Sequence, residues 1–189
     1  QRVVLAHDGW LLVDEIYQCL QYDAQPVTAL GLPQADQNIL VFNSFSKYFN
    51  MTGWRLGWLV VPEDLVAAAE RLAQNLYLAA PTAAQHAAIT ALNDESLVVY
   101  EQRRQVLAER RAFLLAQLPA LGFQVPCAPE GAFYVYCDVS GICDDSYRFC
   151  EDLLAATGVA ITPGVDFGEH QAARFVRIAY TEDQPRLAD

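Results

Sequence analysis

The chain has 189 residues, and 12 Lys and Arg against 23 Asp and Glu leave a formal net charge of −11. That acidic balance, with no cluster of Lys or Arg, argues against a nucleic-acid backbone or an anionic membrane as partner, because either calls for a positive surface. An apolar fraction of 53%, above the ~45–50% usual for soluble domains, leaves some apolar surface to meet another chain or another segment. No stretch reaches the ~18–20 unbroken apolar residues of a membrane span, and Gln1-Arg2-Val3-Val4 lacks the layout of a signal peptide, so a cytoplasmic location is expected. The five cysteines, Cys19, Cys127, Cys137, Cys143 and Cys150, include no close Cys-x-x-Cys pair. They read as structural thiols, and no metal is expected.

In chain order, Gln1 to His7 reads as the tail of a helix, and the chain, which begins without Met, is expected to be a piece of a longer protein. The apolar runs Trp10–Val13, Ile39–Phe42 and Leu56–Val61 suit strands covered on both faces, as in a parallel sheet. Pro62-Glu63-Asp64 sets a proline and two acids at a helix start, and that helix is expected to reach about Tyr77. Thr82-x-x-Gln85 has the form of a capping box before an alanine-rich helix. A longer helix from about Glu95 to Leu118 carries Tyr100, Leu107 and Leu114 on one stripe. Beyond Pro119 the pattern shortens to strands at Phe123–Val125, Phe133–Cys137, Val159–Ile161 and Phe175–Ala179, with one helix from about Asp144 to Thr157 closed by Gly158. The expected architecture is α/β: a mostly parallel sheet with helices over residues 1–94, then a connecting helix and a smaller α+β domain over 95–189.

Three polar clusters follow apolar strands, the edge of an α/β sheet where ligands bind. The first is Asp14-Glu15-Ile16-Tyr17, whose leading carboxylate, directly after a buried run, is expected to be partly desolvated and to need a cationic or hydrogen-bonding partner. It reads equally well as a strand-end acid capping the next turn. The second is Asn43-Ser44-Phe45-Ser46-Lys47 with Gly53-Trp54-Arg55-Leu56-Gly57. A lysine just past a buried strand favours the neutral amine that attacks carbonyl carbon. Ser44, Ser46 and Arg55 are the donors that hold a phosphate dianion, and glycines beside Arg55 let a backbone come close to a ligand. The third is Arg177 within Phe175-Val176-Arg177-Ile178-Ala179, a cation on an apolar strand that needs an anion, from a protein carboxylate or a ligand.

With these motifs in this order, joined by Pro129-Glu130-Gly131-Ala132-Phe133-Tyr134 and Val159-Ala160-Ile161-Thr162-Pro163-Gly164, the chain resembles the fold-type I aminotransferases over essentially its whole length. These are the class I/II, aspartate aminotransferase-like enzymes that use pyridoxal 5′-phosphate (PLP). The resemblance implies that Lys47 forms the internal aldimine with PLP, that Asp14 pairs with the pyridine nitrogen and that Tyr17 hydrogen-bonds the phenolic oxygen. It further implies that Ser44, Ser46 and Arg55 hold the phosphate and that Arg177 binds the substrate's α-carboxylate. Glu15 is left a structural role.

The implied activity is exchange of an amino group between an amino acid and a 2-oxo acid, in amino acid metabolism, by an enzyme that is a homodimer in full-length form and binds neither nucleic acid nor membrane. A PLP-dependent carbon–sulfur lyase shares the same constellation, and a ligand-sensing aminotransferase-like domain of a transcription regulator is the alternative outside enzymes. The family's first half is expected ahead of Gln1, and Thr181-Glu182-Asp183-Gln184 opens a further helix. The 189-residue piece is therefore expected to be inactive alone.

Overall fold

The run ending at Asp14 and the run beginning at Ile39 are both strands in the computed structural model, which describes residues 1–188. By its internal contacts the chain divides into two compact units, one running to Gln102 and one starting at Arg103. The first unit contains α1 (Arg2–Leu5), β1 (Leu11–Asp14), α2 (Ala35–Asn38), β2 (Ile39–Ser44), β3 (Gly57–Val60), α3 (Glu63–Leu76), α4 (Thr82–Ala91) and the start of α5 (Asp94–Gln117). No helix of the described residues is long and apolar enough to cross a membrane.

The first sheet has the order β1-β2-β3. β1 and β2 are parallel, with Asp14 opposite Phe42, whereas β3 lies antiparallel to β2 with Ser44 opposite Gly57. The α/β fold is as expected, and only the run forming β3, read as a parallel strand, is corrected to antiparallel. The connection from β2 to β3 is a returning loop, in which Phe45 N–H donates to Leu56 O at 3.0 Å and Met51 N–H to Phe45 O at 3.0 Å, and it holds none of the crossover helix that a parallel neighbour needs. Within the described residues burial is uneven along this sheet. Ile39 and Val41 are each 1% exposed, but Leu12 of β1 is 60% exposed.

Gly57 sits where the two antiparallel backbones approach most closely, and a Cβ there would stand 2.6 Å from Asn43 O. Both parties are backbone, so only a shift of one strand makes room. Gly57→Ala is expected to cost about 1–3 kcal/mol, the range for overpacking, and the midpoint of denaturant unfolding of the full-length protein reads it.

Glu63 and Asp64 occupy the first turn of α3 after Pro62, as the dipole favours. At α4 the predicted capping box is corrected: Pro81 is the flanking residue and Thr82 the first helical one, with no side-chain cap. Gln85 instead donates through Nε2 to Ala80 O at 2.9 Å. Proline's fixed φ supplies the entry angle one residue earlier than a Thr cap would. The buried face of α4, Ala88 and Ala91, packs with Phe45 and Met51 in one apolar cluster joined by Phe49 and Leu56. That cluster underlies the loop bearing Lys47.

The second unit holds β4 (Tyr134–Asp138), α6 (Ser146–Thr157), β5 (Thr162–Pro163), β6 (Phe175–Ala179) and α7 (Gln184–Ala188), with the strands in the antiparallel order β4-β6-β5. Val135, Cys137, Val176 and Tyr180 are fully buried. Asp145 caps α6 by accepting from Tyr147 N–H at 3.0 Å, and Gly158 closes the helix at φ 77°. Two predicted strands are corrected. Phe123–Val125 contributes only a single bridge from Gln124 to Asp138, next to Pro126, which offers no N–H to a ladder. Val159–Ile161 stays outside the sheet, which takes up Thr162 and Pro163 instead.

Buried Asp138 accepts from Ser140 N–H at 2.8 Å and pairs with Arg174 Nη2 at 2.5 Å. Hydrogen bonds from Ser140, and then Arg174, hold its carboxyl below the usual 3.8. A depressed carboxylate pKa adds stability that is complete above the unfolded value and is lost as pH falls through the folded one. Unfolding midpoints measured against pH are expected to fall more steeply below about pH 4 in the native protein than in Asp138→Asn.

Candidate active site

Because β1 and β2 are parallel, Asp14 to Tyr17 and Ser44 to Lys47 emerge at one edge of the sheet, the carboxyl edge where α/β folds bind ligands. There the Lys47 ammonium stands 5.5 Å from the centre of the Tyr17 ring, within the range of a cation–π contact. Two residues 30 apart in sequence are thereby brought to one spot. Glu15 accepts from Ala29 N–H at 2.7 Å, in keeping with a structural role. Within the described residues Asp14 is exposed, and its Oδ1 accepts from Ile16 N–H at 3.2 Å, as an acid capping the next turn does. It ends β1, the outer strand of the three described, on the same face as exposed Leu12.

The loop from Ser44 to Arg55 gathers the remaining donors. Ser44 Oγ accepts from Ser46 N–H at 3.0 Å and lies 2.9 Å from Ser46 Oγ. Thr52 ties the loop together, donating its hydroxyl to Ser46 O at 2.6 Å and accepting at its carbonyl from Arg55 Nη1 at 2.9 Å. Arg55 itself is left-handed at φ 53°, a conformation that costs a non-glycine residue energy and persists only where its surroundings impose it. Thr52 escaped the sequence reading because its role is a loop closure that no spacing reveals. Of the two glycines beside Arg55, Gly57 is required by the neighbouring strand, while Gly53 faces open space.

Behind Lys47 the loop is anchored by its aromatic neighbours. The Tyr48 hydroxyl donates to Glu101 Oε1 on α5 at 2.7 Å. Phe49 meets Phe45 at 4.8 Å and Tyr100 at 5.7 Å between ring centres. Lys47 is half-buried, and so are Tyr17, Ser44 and Ser46.

Arg177 lies in the second unit, at the centre of β6 and directly opposite Tyr136 of β4. The sequence placed it in a buried setting, and the structure corrects this to half-buried. Alternation explains the difference, since Val176 faces the core while Phe175 and Arg177 share the other face with Tyr134 and Tyr136. The guanidinium carbon lies 4.4 Å from the Phe167 ring centre and 4.9 Å from that of Tyr134. Among the described residues no carboxylate takes up its donors. Phe167 is a further neighbour that the sequence reading missed. Tyr134 stands two residues from Tyr136 on β4, which puts both on one face.

Sheet edge, lysine, paired serines and loop arginine stand together on an α/β unit. Residues 1–188 match the family described as aminotransferase class I and II, and the chain belongs to it. It is 43% identical over 175 residues to a protein named valine–pyruvate aminotransferase from Mycobacterium tuberculosis, covering 93% of this chain and 45% of that relative. It is 36% identical to an aspartate/prephenate aminotransferase of Thermus thermophilus, over 98% of this chain and 47% of the relative. A double mutant of Thermus thermophilus aspartate aminotransferase superposes with a TM-score of 0.89 at 35% identity, covering 99% of this chain and 48% of that structure. The chain thus spans about half the length of the curated relatives it matches.

The cofactor of this family is PLP, and the donor set fits it. Paired hydroxyls with a guanidinium on one loop suit a phosphate dianion, and an amine beside a phenol suits an aldehyde flanked by a phenolic oxygen.

Proposed function

We propose that the full-length protein is an aminotransferase, exchanging an amino group between an amino acid and a 2-oxo acid with PLP as cofactor. The observation that carries this reading is the Lys47 amine set against the Tyr17 ring, at the same sheet edge as the Ser44–Ser46 pair. When bound, PLP supplies the electron sink for the pair left on the substrate's Cα. Asp14 would pair with the pyridine nitrogen and Tyr17 donate to the phenolic oxygen, while Ser44, Ser46 and Arg55 hold the phosphate. Lys47 Nζ would take the proton from Cα as general base and, as general acid, pass it to the cofactor's C4′ carbon rather than back to Cα. Arg177 grips the α-carboxylate through its guanidinium fork.

This reading carries with it a cytoplasmic role in amino acid metabolism. A homodimer is part of it, and the apolar stripe of α3, where Leu72 and Leu76 are 63% and 78% exposed, calls for a cover from a second chain or from the rest of the protein. The test is to incubate the full-length, PLP-loaded protein with single amino acids and a 2-oxo acid and to follow both products by chromatography. Matched appearance of a new amino acid and a new 2-oxo acid is expected. Release of ammonia or sulfide without a matched amino acceptor would make the protein a lyase and overturn the proposal.

A further inference from the structure

We infer that Phe167 is a positioning residue for Arg177, its ring holding the guanidinium ready for an incoming carboxylate. The inference rests on reading Arg177 as the carboxylate-binding residue. Arginine is long and loses much rotamer freedom when fixed, so a half-exposed arginine that meets its ligand unrestrained pays that cost at binding. Here the Phe167 and Tyr134 rings lie 4.4 Å and 4.9 Å from the guanidinium carbon, distances at which ring faces attract a cation. Ring contacts of this kind consume no N–H donor, and among the described residues no hydrogen bond takes up the fork. The fork is thus held in place while its in-plane donors stay available.

Phe167 is built to be held in turn. Its N–H donates to Gly164 O at 2.9 Å, and Gly164 is buried where a Cβ would overlap Ala172 O, which pins the turn to the body of the unit. The ring also meets Tyr136 edge-on at 5.9 Å, and Tyr136 stacks on Phe175 at 4.9 Å with planes 4° apart. A phenyl ring still 47% exposed gains little from burial, so packing alone gives a weak account of its place over Arg177.

Phe167→Leu keeps the apolar bulk and removes the π face, and Phe167→Tyr keeps both. In the full-length, PLP-loaded protein, affinity for propionate, a carboxylate that has no amino group to transfer, is measured by titration calorimetry beside the KM and kcat for the amino acid substrate. Phe167→Leu is expected to weaken propionate binding roughly 3- to 30-fold and to raise KM by a similar factor with kcat nearly unchanged, whereas Phe167→Tyr restores both. Arg177→Ala serves as the control. If it weakens propionate binding while Phe167→Leu binds as the native protein does, the positioning role is wrong and the reading of Arg177 stands. If Arg177→Ala itself binds propionate normally, the reading of Arg177 fails and the role of Phe167 fails with it.

Discussion

Replacing Lys47 by Ala in the full-length, PLP-loaded protein is expected to cut amino-group transfer by about 10³-fold or more, since one side chain supplies both the covalent attachment and the proton transfer. Its place argues for both tasks. Lys47 follows β2 by three residues, at the edge shared with β1, and its ammonium rests against the Tyr17 ring. Phe49 and Tyr48 on its C-terminal side are anchored to Tyr100 and Glu101 of α5, so the amine is presented from a fixed backbone. Borohydride reduction of the native holoprotein followed by peptide mass mapping is expected to leave the pyridoxyl group on Lys47. A pyridoxyl group on any other lysine would overturn the assignment, even if Lys47→Ala proved inactive.

How much of this was legible beforehand depends on whether a feature is carried by neighbours in sequence or by pairing in space. Lys47, Ser44 and Ser46 were visible because one short segment after an apolar run holds them all. Asp14 and Tyr17 were visible for the same reason, and the parallel register of β1 and β2 then brings the two segments to one edge. Strand order was not legible: an apolar run looks the same at any place in a sheet, and only the order β1-β2-β3 places β1 beside β2. The antiparallel course of β3 was hidden likewise, because its cause is a loop closed by contacts between Phe45, Met51 and Leu56. At α4 two local signals competed, and the backbone geometry of Pro81 decided against the Thr82 cap.

Arg177 shows the same division on one residue. Reading an arginine between apolar neighbours as buried treats the strand as a single environment, yet alternation gives it two faces. On the core face Val176 is fully buried, and on the other Arg177 lies among Tyr134, Tyr136 and Phe167. The anion that a buried cation would demand from the protein is absent among the described residues, and ring faces take its place. That arrangement supports the proposal that Arg177 meets an external anion.

Arg177→Ala in the full-length protein is accordingly expected to weaken use of α-carboxylate substrates by about 10²-fold or more, because a bidentate charge-assisted pair out of bulk water is worth several kcal/mol. Arg177→Lys is expected to recover only part of this loss, since an ammonium keeps the charge but cannot match both carboxylate oxygens in one plane. The fold should tolerate both changes, as Arg177 is half-buried and stands on the face away from Val135, Cys137 and Val176. The absorbance of the bound cofactor should therefore survive in each variant while kcat/KM for amino acids falls. The two readouts separate the roles. Unchanged kinetics with loss of the cofactor's absorbance would move Arg177 from the substrate to the cofactor or the fold, and equal loss of both would mean that β6 supports the second unit more than the argument from its exposed face allows.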